Sequence, residues 1–407
     1  MKRLLPFVVA ILFGTAASRA SPPSVSVDVA AADNAFGFQL LNAVQKASPD
    51  GNVILSPVSA ALDLSMALNG ADGQTRQEIL SVLSLSASDL DAVNTANAQL
   101  IHLTRTPVRS VILSVADSLW VDSRFARFQD DYVRQVQASY DATPVALDFS
   151  NPSSASRINT WVSKETHGAI PKIIDQMDSA DLAILLNAVY FKGEWAHKFD
   201  KAQTKARDFT RADGSIRQVS RMKQSGRFDY FETPHMQAIR LPFGDGDLVM
   251  EVLLPAKSSS VAALEEKLTR EQWTAWQPQY LRRSGTIELP KFELRAKYGL
   301  KGPLQSLGMR RAFDPHGAQL AGMFSPAPGQ PLTARFFISS VLQSIYWKVD
   351  EEGAEAAAVT SIGVRTTAVA RPEQPFEMIV DRPFFCAIED KRSGALLFVG
   401  AIYDPGA

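Results

Sequence analysis

The sequence holds one cysteine in 407 residues, Cys386, so an internal disulfide framework is excluded. Cys386 stands in the apolar run Phe384-Phe385-Cys386-Ala387-Ile388, where a buried hydrophobe is expected rather than a reactive thiol. An excess of one charge sign is also missing. The 42 Lys+Arg and 43 Asp+Glu leave a formal net charge of −1, which removes the basis for polycationic nucleic-acid binding. Histidines are few: His102, His167, His197, His235 and His316. No two have metal-ligand spacing, so no metal is expected. There is no G-x-S-x-G elbow, no P-loop and no dinucleotide-binding glycine fingerprint, so no enzyme and no cofactor are expected. Asp245 and Asp247 lack the other acidic ligands of a calcium loop. No internal repeat and no low-complexity linker divides the chain.

What is present argues for one large core. Hydrophobic residues make up 46% of the chain, with 22 Phe and 6 Trp, which rules out wholesale disorder. The start reads differently. Lys2 and Arg3 precede the apolar run Leu4 to Phe13, and Ser18-Arg19-Ala20 follows. That order matches a secretory signal over residues 1–20, and the run is too short for a membrane span. A cut after Ala20 removes three basic residues and no acid, moving the formal charge from −1 to −4. Ser21, not a cysteine, stands directly after the cut, which excludes a bacterial lipoprotein. The expected location is secreted or periplasmic, with no membrane association. Residues 21–32 are expected to form a short leader, and 33–405 a single domain. A domain that size needs no bridges in an oxidising space.

Along the chain, helix and strand signals mix without strict alternation, which predicts an α+β fold. A helical pattern runs from near Asp33 to Ala47. Asn52 to Leu55 is a short strand. Ser56-Pro57 opens a helix with a serine N-cap and proline at N1. That helix, to about Leu68, is small or apolar almost all round and must be buried. Thr75-x-x-Glu78 reads as a capping box. Strands are expected over Val111–Val121, Leu182–Phe191, Thr286–Leu294, Phe376–Ile388 and Leu396–Tyr403. Arg157–Glu165 is expected to be an amphipathic helix. Ala238–Pro255 reads as a hairpin around Gly244-Asp245-Gly246-Asp247.

The segment Val349 to Arg371, VDEEGAEAAAVTSIGVRTTAVAR, breaks the pattern. Propensity alone would make Glu351 to Ala358 a helix. Yet a period of two runs through it. Ala354, Ala356, Ala358, Thr360, Ile362 and Val364 are small or apolar, while Glu355 and Arg365 fall on the other face. Fourteen residues extended at about 3.3 Å each would reach roughly 46 Å. A segment able to be a loop or a long strand is a switch candidate.

Five stretches together resemble the serpin family: Asn52-Val-Ile-Leu-Ser-Pro-Val-Ser59, Asn187-Ala-Val-Tyr-Phe-Lys-Gly-Glu-Trp195, Leu289-Pro-Lys-Phe292, Val349-Asp-Glu-Glu-Gly-Ala-Glu-Ala-Ala-Ala358 and Asp381-Arg-Pro-Phe384. They follow the family's order and spacing over residues 33–405. The resemblance implies a serpin fold of three β-sheets, with a large central sheet, and eight or nine helices. It implies a metastable monomer with a reactive centre loop at about 351–382. A target protease attacks the loop and forms an acyl-enzyme. The freed end then inserts into the central sheet and carries the protease along before water can release it. Inhibition is irreversible and extends to serine and, in some members, cysteine endopeptidases.

The same resemblance assigns residues. Glu351, Gly353, Ala354, Glu355, Ala356, Ala357, Ala358 and Thr360 match the hinge. Lys291 pairs with Glu351 and Trp195 packs beside them, where insertion begins; the alternative for that pair is a surface contact worth about 0–1 kcal/mol. Ser56, Ser59 and Asn187 match the shutter under the opening strands. The family often has histidine where this chain has Gln343; an amide donates and accepts but does not titrate. The family's loop length puts the scissile bond at Thr367-Ala368, suiting an elastase-like or subtilisin-like pocket. Arg365 and Arg371 are the alternatives, for a trypsin-like one. A non-inhibitory member, acting as a carrier or chaperone, is the other function left open. Residues 82–101 contain no Lys or Arg, so no heparin site is expected.

Overall fold

The computed structural model describes residues 28–85, 89–331, 335–352 and 374–406. The expected signal and most of the leader lie outside that set, as do Gly353, Ala354, Glu355, Ala356, Ala357, Ala358, Thr360, Arg365, Thr367, Ala368 and Arg371.

The described strands form three sheets. The five-stranded sheet contains β2 (Val111–Asp122), β4 (Val145–Leu147), β5 (Ala183–Gly193), β11 (Phe292–Gly299) and β13 (Ser340–Val349), in the order β11-β13-β5-β2-β4. The nine-stranded sheet runs β1 (Val53–Leu55), β16 (Ala395–Ile402), β15 (Phe384–Asp390), β9 (Leu248–Pro255), β8 (Met236–Phe243), β7 (Ile216–Thr233), β10 (Leu281–Pro290), β14 (Phe376–Ile379), with β6 (Lys205–Thr210) paired to β7. A small sheet joins β3 (Ala126–Phe128) to β12 (Phe324–Pro326). Nine α-helices occur among the described residues. Those that matter below are α1 (Val29–Ala47), α2 (Pro57–Leu68), α3 (Gly73–Val82), α4 (Leu90–Arg105), α5 (Asp130–Tyr140) and α6 (Ser153–Glu165).

The five-stranded sheet divides the core in two. Leu185, Val189 and Phe191 of β5 join the main core with α2. Ile184, Leu186 and Ala188 face a second cluster with Ile158 and Val162 of α6. This is the period-two alternation of a strand buried on both faces. Helix α2 is buried along its whole length and sits under the sheet. Ser56 caps it as expected, its hydroxyl accepting from Ser59 N, with Pro57 at N1.

Four expectations are corrected. Helix α1 opens at Val29, not Asp33, because Asp28 supplies the cap by accepting from Ala31 N at 3.0 Å. Thr75-x-x-Glu78 is no capping box: Asp72 precedes α3, and both side chains serve other segments. Thr75 Oγ1 accepts from Gln319 N, and Glu78 Oε2 accepts from Arg310 N and Arg311 N. Thr286–Leu294 is two strands in two sheets, broken at Lys291, because Pro290 ends β10 without a donor. Phe376–Ile388 is likewise two strands: β14 runs parallel to β10, and β15 pairs with β16 and β9. The β8–β9 hairpin turns at Gly244, whose φ of +52° and whose closeness to Arg109 O leave no room for a Cβ.

Candidate functional site

Strands β5 and β13 are neighbours and parallel, in register over eight residue pairs from Ser340↔Ile184 to Trp347↔Phe191. Their other ladders, to β2 and β11, are antiparallel. Both strands finish at the same end of the sheet, where Asp350, Glu351 and Glu352 leave β13.

Three elements clamp that exit. Trp195, just past β5, is buried by stacking on Phe243 at 4.4 Å and by an edge contact with Phe199 at 5.8 Å. Its indole Nε1 donates to Asp350 O at 2.8 Å. Phe199 N donates to Glu351 O at 3.1 Å. Lys291, at the junction of β10 and β11, places Nζ 2.7 Å from Glu351 Oε2. The Glu351 side chain is only 7% exposed, so this is no surface pair. Burial alone would push the Glu351 carboxyl up; the Lys291 ammonium beside it outweighs that and holds it below the ordinary range. Glu352 pairs with Lys201, and Asp350 with Lys348 at 2.8 Å.

Below the middle of the sheet a polar row crosses four strands at one register: Tyr298, Gln343, Asn187 and Asp117. Each of the first two meets β1 or the Ser56 cap, and each of the last two meets α2. The Tyr298 hydroxyl accepts from Ile54 N at 3.1 Å. Gln343 bonds the Ser56 backbone twice, accepting from N at 3.2 Å and donating to O at 3.1 Å. Asn187 Nδ2 donates to Asp63 Oδ2 at 3.0 Å. Ser59 Oγ donates to Asp117 Oδ1 at 2.7 Å. Burial and the nearby Asp117 push the Asp63 carboxyl well up, against the Asn187 bond. Burial pushes Asp117 up to about 7, against the Ser59 bond and the Arg105 charge. Asp117 is enclosed by protein yet meets water through a cavity of about 730 Å³ beside β2.

The structure therefore brings Trp195, Lys291 and Glu351 together at the sheet end, and Ser56, Ser59, Asn187 and Gln343 together beneath its middle. Sequence reading missed Asp63 and Asp117. A lone acid in an otherwise small and apolar helix was the signal for Asp63. Among the described residues, no group of three or more His, Cys, Asp or Glu could hold a metal ion.

A family model described as Serpin (serine protease inhibitor) matches residues 31–405. Iripin-2 of Ixodes ricinus is 34% identical over 379 residues, covering 91% of this chain and 92% of that protein. Leukocyte elastase inhibitor of Xenopus tropicalis is 31% identical over 382 residues, covering 91% and 97%. The crystal structure of a thermophilic serpin, Tengpin, in the native state superposes with a TM-score of 0.83 at 26% identity, covering 95% of this chain and 96% of that one.

Proposed function

The chain belongs to the serpin family, and from that premise we propose that it is a suicide-substrate inhibitor of serine endopeptidases. The bait is the stretch after Glu352. A protease serine attacks the Thr367 carbonyl, the Ala368 amine leaves, and an ester joins protease to inhibitor. The freed strand then enters the central sheet.

The observation that carries this reading is the parallel seam between β5 and β13, ending beside Glu351. A chain that reverses at Glu351 runs antiparallel to both strands. It would replace one parallel ladder with two antiparallel ones, which are the more stable kind per residue. In that register Ala354, Ala356 and Ala358 pass between the strands with almost no side chain to desolvate, and Ile362 and Val364 follow as apolar cargo. A carrier or chaperone needs no such run of small residues. Thr367 fits the shallow pocket of an elastase-like or subtilisin-like enzyme, and the signal-like residues 1–20 support an encounter outside the cytoplasm.

Incubation with elastase-, subtilisin- and trypsin-like enzymes tests this directly. A denaturant-stable covalent complex and a cut mapped by mass to Thr367-Ala368 are expected. Clean cleavage with every enzyme and no complex would leave a substrate, not an inhibitor.

A further inference from the structure

Charge is nearly balanced over the whole chain, yet cations crowd one recess of the nine-stranded sheet. Lys205 and Arg207 stand on β6, Arg221 and Lys223 on β7. Lys205 is the cross-strand partner of Arg221, and Lys223 that of Glu288 on β10. These five side chains line a concavity of about 240 Å³, whose wall is completed by Ala202 and Gln203. Four cations against one carboxylate leave the recess a formal charge of +3.

Glu288 is already engaged by two of the four. Arg221 Nε donates to its Oε2 at 3.0 Å, and Lys223 Nζ lies 3.4 Å from Oε1. Arg221 Nη1 donates to Asp208 O at 3.2 Å. These two bonds fix the guanidinium, whose side chain is 9% exposed. Among the described residues, no carboxylate pairs with Lys205 or Arg207. The next acid on β6, Asp208, accepts instead from Gln218 of β7. Like charges directly opposite on paired strands are destabilising. Two flexible cations could swing apart into water, but Arg221 is held in place opposite Lys205. An anion in the recess would turn that repulsion into a donor set.

We propose that the recess is a binding site for a doubly charged tetrahedral oxyanion, a phosphate or sulfate, free or carried as an ester. Arg221 supplies a guanidinium already oriented by protein bonds, so little freedom is lost on binding. Arg207 offers a second planar fork, which suits two oxygens of one group, and Lys205 and Lys223 add mobile point charges. A carboxylate brings one charge and two oxygens, too few for Arg221, Arg207 and Lys205 together. The recess is too small for a folded partner, and no large apolar side chain lines it. Charge complementarity therefore favours a small anionic group over a protein surface. The inference goes beyond the inhibitory reading and stands whether or not the chain traps a protease.

Urea midpoints of the full chain at pH 7.5 test it. Inorganic phosphate, methyl phosphate, sulfate or acetate replaces chloride at constant ionic strength. The proteins are the wild type, a Lys205→Gln/Arg207→Gln double variant, and a Lys46→Gln/Arg134→Gln double variant that removes the same charge from exposed sites elsewhere. Excluded anions raise any midpoint in step with their concentration. A bound anion adds a rise that follows a binding curve. That added rise is expected in the wild type and the distant double variant, with apparent affinity weakened about tenfold or more in the Lys205→Gln/Arg207→Gln protein. An equal response in all three proteins, an equal loss in both variants, or a rise that acetate reproduces overturns the proposal. The ranking of phosphate, methyl phosphate and sulfate then identifies the source: a free ion, a phosphate ester or a sulfate. Should the recess variant fail to fold, phosphorus NMR of methyl phosphate decides. Line broadening by the wild type that is reduced with Arg207→Gln is expected, and no broadening by the wild type overturns the site. An acidic peptide that binds where none of the small anions does would assign the face to a protein partner and also overturn it.

Discussion

Lys291→Met keeps the length and apolar stem of the side chain and removes the ammonium that bonds Glu351. A hydrogen bond to a charged group contributes about 1.5–3 kcal/mol. The Lys291 side chain is 36% exposed, so water replaces part of what is lost and the lower end applies. The expected cost is about 1.5 kcal/mol, roughly a tenfold loss in the closed-to-open ratio where the chain leaves β13. Urea midpoints of variant and wild type at pH 7 read this directly. The pH dependence gives a second check. Burial pushes the Glu351 carboxyl up, and the Lys291 ammonium brings it below its ordinary value of 4.5. A carboxyl depressed in the folded state contributes stability above its ordinary value, and that contribution disappears as pH falls through the folded one. The gap between variant and wild type is therefore present at pH 7 and closes as pH falls through the lowered Glu351 value. Equal midpoints at pH 7, or a gap of unchanged size in acid, would refute the claim that this pair holds the exit shut.

Three other outcomes are expected. Ala356→Arg puts a guanidinium where the inserting strand must be buried, so cleavage should continue while the denaturant-stable complex disappears on gels. Trp195→Phe removes the bond to Asp350 O and should cost about 1 kcal/mol, whereas Trp195→Ala also opens a cavity against Phe243 and should cost about 3–5 kcal/mol, both read from thermal or urea unfolding. Cys386 is fully buried and burial pushes its thiol up, so an alkylating reagent should label it only after unfolding; rapid native labelling would contradict the packing of β15.

Local rules were legible where one residue decides a local conformation. The Ser56 cap and the Gly244 turn formed as their chemistry demands, because the serine hydroxyl reaches Ser59 N three residues on and glycine takes the positive φ of the turn. The same rules failed at Thr75 and Glu78, whose side chains bond segments more than 200 positions away. They failed again at Lys291. An unbroken apolar rhythm across Thr286–Leu294 cannot reveal that the chain passes from one sheet to another at a proline.

By itself the sequence determined a mixed α+β fold, a family and a stretch of small residues with a period of two. Those properties live in composition, short motifs and a two-residue period, all of which survive unfolding. Only the tertiary structure set Asp63 against Asp117. These two acids lie 54 positions apart and are harmless in the extended chain. Packing α2 against β2 and β5 strips Asp63 of water and leaves Asp117 half-buried, and electrostatic cost in a protein depends on who is near and how much solvent is left, neither of which a linear string encodes.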